Sequence, residues 1–190
     1  MHVPSAQPHP AARRIAGDRR ARGFTLIESA LVTVIVGIGV LAIVAAQQAY
    51  HQQNSYAQNT GAGLMLANEV RELMLNMPLY DPNGNNHFGP DPGENHYTVY
   101  NDISDFAGPD GDGTMISPPI DATRKPIPGM EQWSQHVIVE NVMPNQINSA
   151  TAAPGGSTNV LRVTCRILYQ RVESEEPREV TRLTWVRAGN

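Results

Sequence analysis

The sequence predicts an α+β fold in which one long N-terminal α-helix precedes a small C-terminal antiparallel β-sheet. Three observations support this fold class. No Asp, Glu, Lys or Arg occurs from Ser29 to Asn68, and apolar residues then recur on one helical face as far as Met77. In the C-terminal third, apolar and polar residues alternate along several short segments, which is typical of strands with one buried face.

The first part of the charge-free stretch predicts a membrane-spanning helix. Residues 30–46 are almost wholly apolar, and counting from Phe24 gives 23 residues. As a helix they would span about 34 Å, enough for a bilayer core of about 30 Å. Five of the 14 basic residues and one of the 18 acidic residues lie in positions 1–23, which gives this leader a net charge of +4 and the remainder −8. The positive-inside rule therefore keeps the leader cytoplasmic and exports the rest.

Two simpler interpretations of this segment stay open on hydropathy alone. One is a plain signal anchor, and the other is a cleaved secretory signal peptide that ends at Val44-Ala45-Ala46. The apolar stretch is longer than the usual length of about 7–15 residues for a signal peptide. Neither interpretation explains Glu28, because a carboxylate at bilayer depth costs about 2.5–3.5 kcal/mol unless it is paired or near the interface.

A dense motif marks the junction between leader and helix, where residues 22–28 read Arg-Gly-Phe-Thr-Leu-Ile-Glu. The basic leader, the glycine, this motif and the apolar helix together resemble the type IV pilin and type II secretion pseudopilin superfamily. The resemblance covers about residues 22–50. Within it, the apolar segment around Ile35 to Gln47 most resembles minor pilins of the pilus-modification type and the similar minor pseudopilins. It implies that a prepilin peptidase cleaves after Gly23 and that the new amine of Phe24 is methylated.

Glu28 would be the fifth residue of the processed chain. A neighbouring subunit's Glu28 can neutralise the cationic amine of Phe24, because such a pair attracts far more strongly at low dielectric than in water. Loss of one partner would leave the other charge buried and uncompensated. We therefore expect Glu28 to control subunit assembly and register; the alternative is a carboxylate that simply reaches the membrane interface.

The helix is predicted to continue beyond the membrane to Met77, because Pro78 then interrupts the periodic run. Its second half carries the apolar stripe Leu66, Val70, Leu73 and Met77. The predicted organisation is a cytoplasmic leader that is removed, a membrane or filament-core helix, a helix continuation packed on the globular domain, and an extracytoplasmic domain. The corresponding ranges are 1–23, 24–46, 47–77 and 78–190.

The C-terminal domain is predicted to begin with a loop-rich connector, since nine of the 15 prolines lie in residues 78–131. Cys165 falls on the apolar side of an alternating segment, which predicts a buried side chain rather than redox chemistry. The strands are predicted at His96–Tyr100, Thr114–Ile116, Ser134–Val142, Asn159–Arg171 and Arg178–Arg187.

No catalytic constellation is recognisable in the sequence, and we expect neither catalytic residues nor an obligatory cofactor. Its single cysteine excludes an intramolecular disulfide. The group of side chains that comes nearest to a ligand-binding cluster is acidic and consists of Asp102, Asp105, Asp110 and Asp112. Asp110 and Asp112, each followed by glycine, are weak Ca²⁺ candidates, because Ca²⁺ accepts irregular oxygen ligation; a solvated acidic turn is the simpler interpretation.

The predicted function is that of a minor pilin or pseudopilin, a structural subunit and not an enzyme. Its expected partners are prepilin peptidase, other pilin or pseudopilin subunits and the inner-membrane assembly platform. The alternative is a membrane-anchored extracytoplasmic enzyme or binding protein. The acidic body argues against nucleic acid as a partner, although Arg162, Arg166 and Arg182 could form a basic patch on one strand face.

Overall fold

The computed structural model describes residues 25–82 and 87–189. Within these residues one α-helix is followed by a short 3-10 helix and four β-strands. The α+β fold predicted from the sequence is confirmed. The described residues divide into two units, with the boundary between Ala49 and Tyr50.

Helix α1 runs without interruption over Leu26–Leu75. It contains no proline, and Thr33, Ser55 and Thr60 each donate their hydroxyl to the carbonyl four residues earlier. Helix α1 ends two residues before the predicted Met77. The N–H of Met77 donates to the carbonyl of Met74 (3.3 Å), a tighter turn that closes the helix ahead of Pro78.

The four strands form one antiparallel sheet in the order β1-β2-β3-β4. Three of the strands lie close to their predicted bounds, and Thr114–Ile116 coincides with the prediction. One face of β3 is buried from Leu161 to Ile167, as the period-two alternation indicated, and Cys165 lies on that face; Tyr169 at its end is half-buried. The strands are β1 (Thr114–Ile116), β2 (Trp133–Asn141), β3 (Val160–Tyr169) and β4 (Arg178–Ala188).

The predicted strand at His96–Tyr100 is wrong. This segment forms turns, with the N–H of Val99 bonded to the carbonyl of His96 (3.0 Å). The side chain of Arg124 donates to the carbonyls of Thr98 (2.8 Å) and Tyr100 (2.6 Å). A guanidinium from a distant loop thus satisfies backbone groups that would otherwise need a neighbouring strand.

The second half of α1 packs its apolar face against the core. The predicted stripe is confirmed at Leu66, Val70 and Met77, which are buried, whereas Leu73 is half-buried. The core also includes the face of β3 that the helix covers, and its fully buried members there are Leu161, Val163, Cys165 and Ile167.

Gln135 on β2 joins the helix, the sheet and a loop through one fully buried amide. Its Nε2 donates to the carbonyls of Leu66 (2.9 Å) and Ile120 (3.0 Å), and its Oε1 accepts the N–H of Ile120 (2.9 Å). Both amide hydrogens and the oxygen are therefore satisfied inside the core, which makes this polar contact stabilising rather than costly.

Arg187 on β4 holds the C-terminal end of α1. Its guanidinium donates to the carbonyls of Leu75 (3.3 Å) and Met77 (3.4 Å), groups that have no partner within the helix. A cation at this position also interacts favourably with the negative end of the helix dipole.

Helix α1 approaches the sheet closely at Gly63, which is buried. A Cβ atom at this position would lie 2.7 Å from Cγ2 of Thr181 and 3.6 Å from Cγ2 of Ile167. Two residues earlier, Gly61 is exposed and a Cβ there would meet no atom within 4 Å. These two glycines provide a matched test of the contact.

We expect opposite effects of alanine at these two positions in a fragment of residues 50–190, which contains the whole buried core. Gly61→Ala should raise the free energy of unfolding by up to about 1 kcal/mol through helix propensity. Gly63→Ala should lower it by about 1–3 kcal/mol through overpacking. Urea denaturation measures both, and adding Thr181→Ser to Gly63→Ala should recover stability by removing Cγ2. Equal gains from the two alanines would contradict the close contact.

Candidate functional site

The first half of α1 exposes a continuous apolar surface. All residues from Thr25 to Ala49 are exposed, and among the described residues α1 is the one helix long and apolar enough to cross a membrane. Exposed apolar surface of this extent requires cover from lipid or from other apolar helices. Its large side chains are Leu26, Ile27, Leu31, Val32, Val34, Ile35, Val36, Ile38, Val40, Leu41, Ile43 and Val44.

Thr25 caps the start of this helix. Its carbonyl accepts the N–H of Glu28 (3.0 Å), and its Oγ1 lies 3.4 Å from the same nitrogen. Thr25 and Glu28 therefore occupy the N-cap and N3 positions of a Thr-x-x-Glu pattern, which is typical of helix starts. The sequence interpretation missed the role of Thr25, although the pattern itself was present in the motif.

Glu28 lies in the first turn of α1 and is exposed. The positive end of the helix dipole favours a carboxylate at this position, which is a local reason for an acid here. Gly23 and Phe24, the predicted processing residues, lie outside the described residues. The pairing of Glu28 with the amine of a processed neighbour stays a prediction.

The three arginines of the sheet face that α1 does not cover are held in ion pairs. Arg162 binds Glu140 (2.9 Å), while Arg166 (2.7 Å) and Arg182 (2.6 Å) share Glu179. Two carboxylates thus offset three guanidinium groups. This face is nearly neutral, so it lacks the strong positive field that phosphate binding requires.

The acidic cluster predicted from the sequence separates into a buried pair and an exposed pair. Asp102 and Asp105 are 2% and 1% exposed. Oδ2 of Asp105 accepts hydrogen bonds from the N–H groups of Asn101 (2.9 Å) and Asp102 (3.1 Å). Oδ1 of Asp102 in turn accepts the N–H of Asp105 (3.2 Å) and the hydroxyl of Ser104 (2.8 Å). The pair closes the loop around the 3-10 helix Ser104–Ala107.

Asp110 and Asp112, the Ca²⁺ candidates, are exposed on a turn. The backbone carbonyl of Asp112 lies 3.0 Å from Nε2 of His136. No group of three or more His, Cys, Asp or Glu side chains in residues 25–82 and 87–189 is arranged to hold a metal ion. Calcium binding at this turn stays a prediction, and two exposed carboxylates would leave most of the six to eight oxygen ligands to other groups.

Cys165 and a depression beside His87 are two further features that bear on chemistry. Burial raises the pKa of the Cys165 thiol to about 12, so it stays protonated. A depression of about 390 Å³ is lined, among the described residues, by His87, Asp91, Glu94, Asn95, Tyr100 and neighbouring prolines, none of which is a nucleophilic Ser, Thr or Cys. A hydrogen bond to Asp81 raises the pKa of Asp91 at its rim.

The comparisons with known proteins identify one feature of the chain. Residues 18–44 match the family described as the prokaryotic N-terminal methylation motif. The chain therefore carries a prepilin signal of the type IV pilin-like kind, followed directly by a long apolar helix. No curated protein and no solved structure matches the chain.

Asp105 should make stability depend on pH in the same 50–190 fragment. Burial raises its pKa from the usual 3.8 to about 7, against the lowering effect of its hydrogen bonds. Because the pKa is raised in the folded state, the contribution of Asp105 to the free energy of unfolding is fully present below about pH 4. This contribution is lost as the pH rises through about 7. We expect a loss on the order of 2–4 kcal/mol across this window, since each pKa unit corresponds to about 1.4 kcal/mol.

The measurement is urea denaturation at intervals between pH 4 and pH 8. Asp105→Asn should reduce the slope of the profile, because a neutral amide keeps an oxygen for the N–H groups of Asn101 and Asp102. The matched control is Asp110→Asn, which removes an exposed carboxylate of the same region and should leave the profile unchanged. A wild-type profile that rises across this window would contradict the buried-carboxyl interpretation.

Proposed function

We infer that the chain is a structural subunit of a pilin-like assembly, a minor pilin or pseudopilin. The observation that carries this inference is the methylation motif at residues 18–44, which extends into a helix whose first half exposes mostly apolar side chains and a single charged residue, Glu28. A soluble domain would bury such side chains within itself. Here the cover must come from a membrane and then from neighbouring subunits.

The apolar half of α1 suits this exchange between two environments. Lipid tails are about as apolar as leucine and isoleucine side chains, so transfer from lipid to a bundle of helices involves little hydrophobic free energy. Packing and specific polar contacts then decide whether subunits associate. Glu28 is the one acidic group on this half of the described helix, which gives it a disproportionate effect on specificity.

Processing by prepilin peptidase is the step that would create the partner for Glu28. Cleavage after Gly23 would leave Phe24 with a cationic amine one residue before Thr25, the N-cap of α1. The carboxylate of a neighbouring Glu28 could then neutralise this amine in an apolar environment. The same step removes the five leader arginines, which would otherwise hold the N-terminus at the cytoplasmic face.

This function defines the location and the partners of the chain. The single apolar helix would anchor it in the inner membrane with the leader cytoplasmic and the C-terminal unit exported. Its partners would be prepilin peptidase, other pilin or pseudopilin subunits and the inner-membrane assembly platform. In this role the protein has no catalytic residues.

The first prediction of this function concerns processing. The intact mass of the membrane form should correspond to residues 24–190 with one added methyl group. Gly23→Val should leave the chain uncleaved, whereas Gly17→Val, a matched glycine in the same leader, should not affect cleavage. A processed chain that begins at Gln47 would instead mean an ordinary signal peptide and would contradict the proposal.

The second prediction concerns Glu28. Glu28→Gln removes the charge and keeps a side chain of similar size, and it should be processed normally but enter the assembly at least about tenfold less, because the paired amine is left unneutralised. Glu28→Asp keeps the charge and should assemble better than Glu28→Gln. The measurement is the fraction of processed chain recovered in sheared filaments or membrane complexes. Equal recovery of Glu28→Gln and wild type would refute the assembly role.

A further inference from the structure

Strand β4 forms a long free edge of the sheet. It pairs with β3 on one side only, and none of residues 25–82 and 87–189 pairs with its other side. The strand has 11 residues, whereas β1 at the opposite edge has three. An open edge presents unpaired backbone N–H and C=O groups that another strand can bind.

The hydrogen bonds around β3 identify the backbone groups that point outward. The N–H of Gly189 donates to the carbonyl of Asn159 (2.9 Å), so the backbone of Gly189 points inward, toward β3. The carbonyl of Val160 accepts the N–H of Val142 (3.0 Å) and therefore points away from β4, toward the β2 side. Inward and outward groups alternate along an antiparallel strand. The outward-directed N–H groups of β4 are therefore those of Arg182, Thr184, Val186 and Ala188.

Little in this stretch protects the edge. An irregularity in the β3–β4 register at Ile167 and Leu168 limits the regular ladder to Thr181–Ala188. That stretch contains no proline, and one of its two charged residues, Arg187, is turned toward the end of α1. Arg182 is the other, with 63% of its side chain exposed, and Val186 is 41% exposed. Natural edge strands usually carry stronger devices against pairing.

The charge beside the outer edge of β4 and the small area of that edge limit which kind of strand can pair with it. Arg166 and Arg182 share the single carboxylate of Glu179, which leaves one positive charge beside the edge. Glu179 is the one acid of β4, so a second copy of this strand has no uncommitted carboxylate to place beside Arg182. The edge strand β1 of a second copy offers only three residues. A stable interface between free proteins buries about 800 Å² on each partner, and a single added strand buries much less than that. Such a contact therefore suits a partner that is already tethered nearby.

We propose that the outer edge of β4, over Thr181–Ala188, binds an extended strand of a different subunit anchored in the same assembly. The partner strand carries an acidic side chain beside Arg182 and an apolar one beside Val186. This assignment rests on the proposed subunit function, which supplies the tether. It adds a sheet-edge contact in the C-terminal unit to the helix contacts that the apolar segment provides.

Thr184 permits a matched test with the full chain in its native host. Thr184→Pro removes an outward N–H without altering the ladder to β3, a position where an edge strand tolerates proline. Thr184→Val keeps that N–H. Both variants lose the hydroxyl contact to Thr164 (3.0 Å), so any difference between them reports on the outer edge.

We expect Thr184→Val to be recovered in filaments or membrane complexes as well as wild type. Thr184→Pro should be processed normally but recovered about tenfold less, because proline removes a backbone hydrogen bond to the partner strand and its ring prevents the close approach of that strand. Amide exchange at Arg182, Thr184 and Val186 should be fast in the 50–190 fragment and slow in the recovered complex. Equal denaturation midpoints of the two fragment variants would exclude misfolding as the cause.

Three results would overturn the proposal. Equal recovery of the two variants would mean that the edge is not used. A fragment that dimerises by itself, and loses the dimer only with Thr184→Pro, would make a second copy the occupant. A wild-type chain that is processed and recovered in a complex with its β4 amides still in fast exchange would remove the edge contact while leaving the subunit function intact. Absence of wild-type processing would instead refute the subunit function itself.

Discussion

The C-terminal unit depends on the contact between the second half of α1 and the sheet, and the buried amide of Gln135 fixes that contact. An amide in a core must satisfy both hydrogens and its oxygen, and here the partners are Leu66 on α1 and Ile120 on a loop. Apolar packing alone permits sliding, whereas these directional bonds select one helix position. Gly63 reinforces the selection, because the sheet leaves no room for a side chain there.

Charged residues are rare in the first two thirds of α1 and frequent in the C-terminal unit. The described helix has Glu28 and then no charged residue until Glu69, so one carboxylate faces the apolar surroundings alone. In the C-terminal unit the arginines of the sheet face are offset by Glu140 and Glu179. A chain that is acidic overall can therefore present a nearly neutral sheet face, and most of the other described acids lie on loops.

Two kinds of contact surface follow from this arrangement. The apolar half of α1 is broad and non-directional, which suits an exchange of lipid for neighbouring helices. The outer edge of β4 is narrow and directional, because a backbone group such as the N–H of Thr184 can donate a hydrogen bond only to a strand in the matching register. A subunit that uses both would gain affinity from the helix and specificity from the edge.

The sequence alone determined the prepilin signal, through its resemblance to a known motif, and the apolar helix, through an uninterrupted apolar run. It also determined the stripe that includes Leu66 and Val70 and the alternation around Cys165, because these two patterns depend on short-range periodicity. It failed at His96–Tyr100, where a distant Arg124 satisfies the backbone and no periodic signal records that contact. The acidic residues near position 105 looked like one cluster in sequence. Only the tertiary structure decided that Asp105 is buried and Asp110 exposed, because burial depends on what packs over a residue and not on its neighbours along the chain.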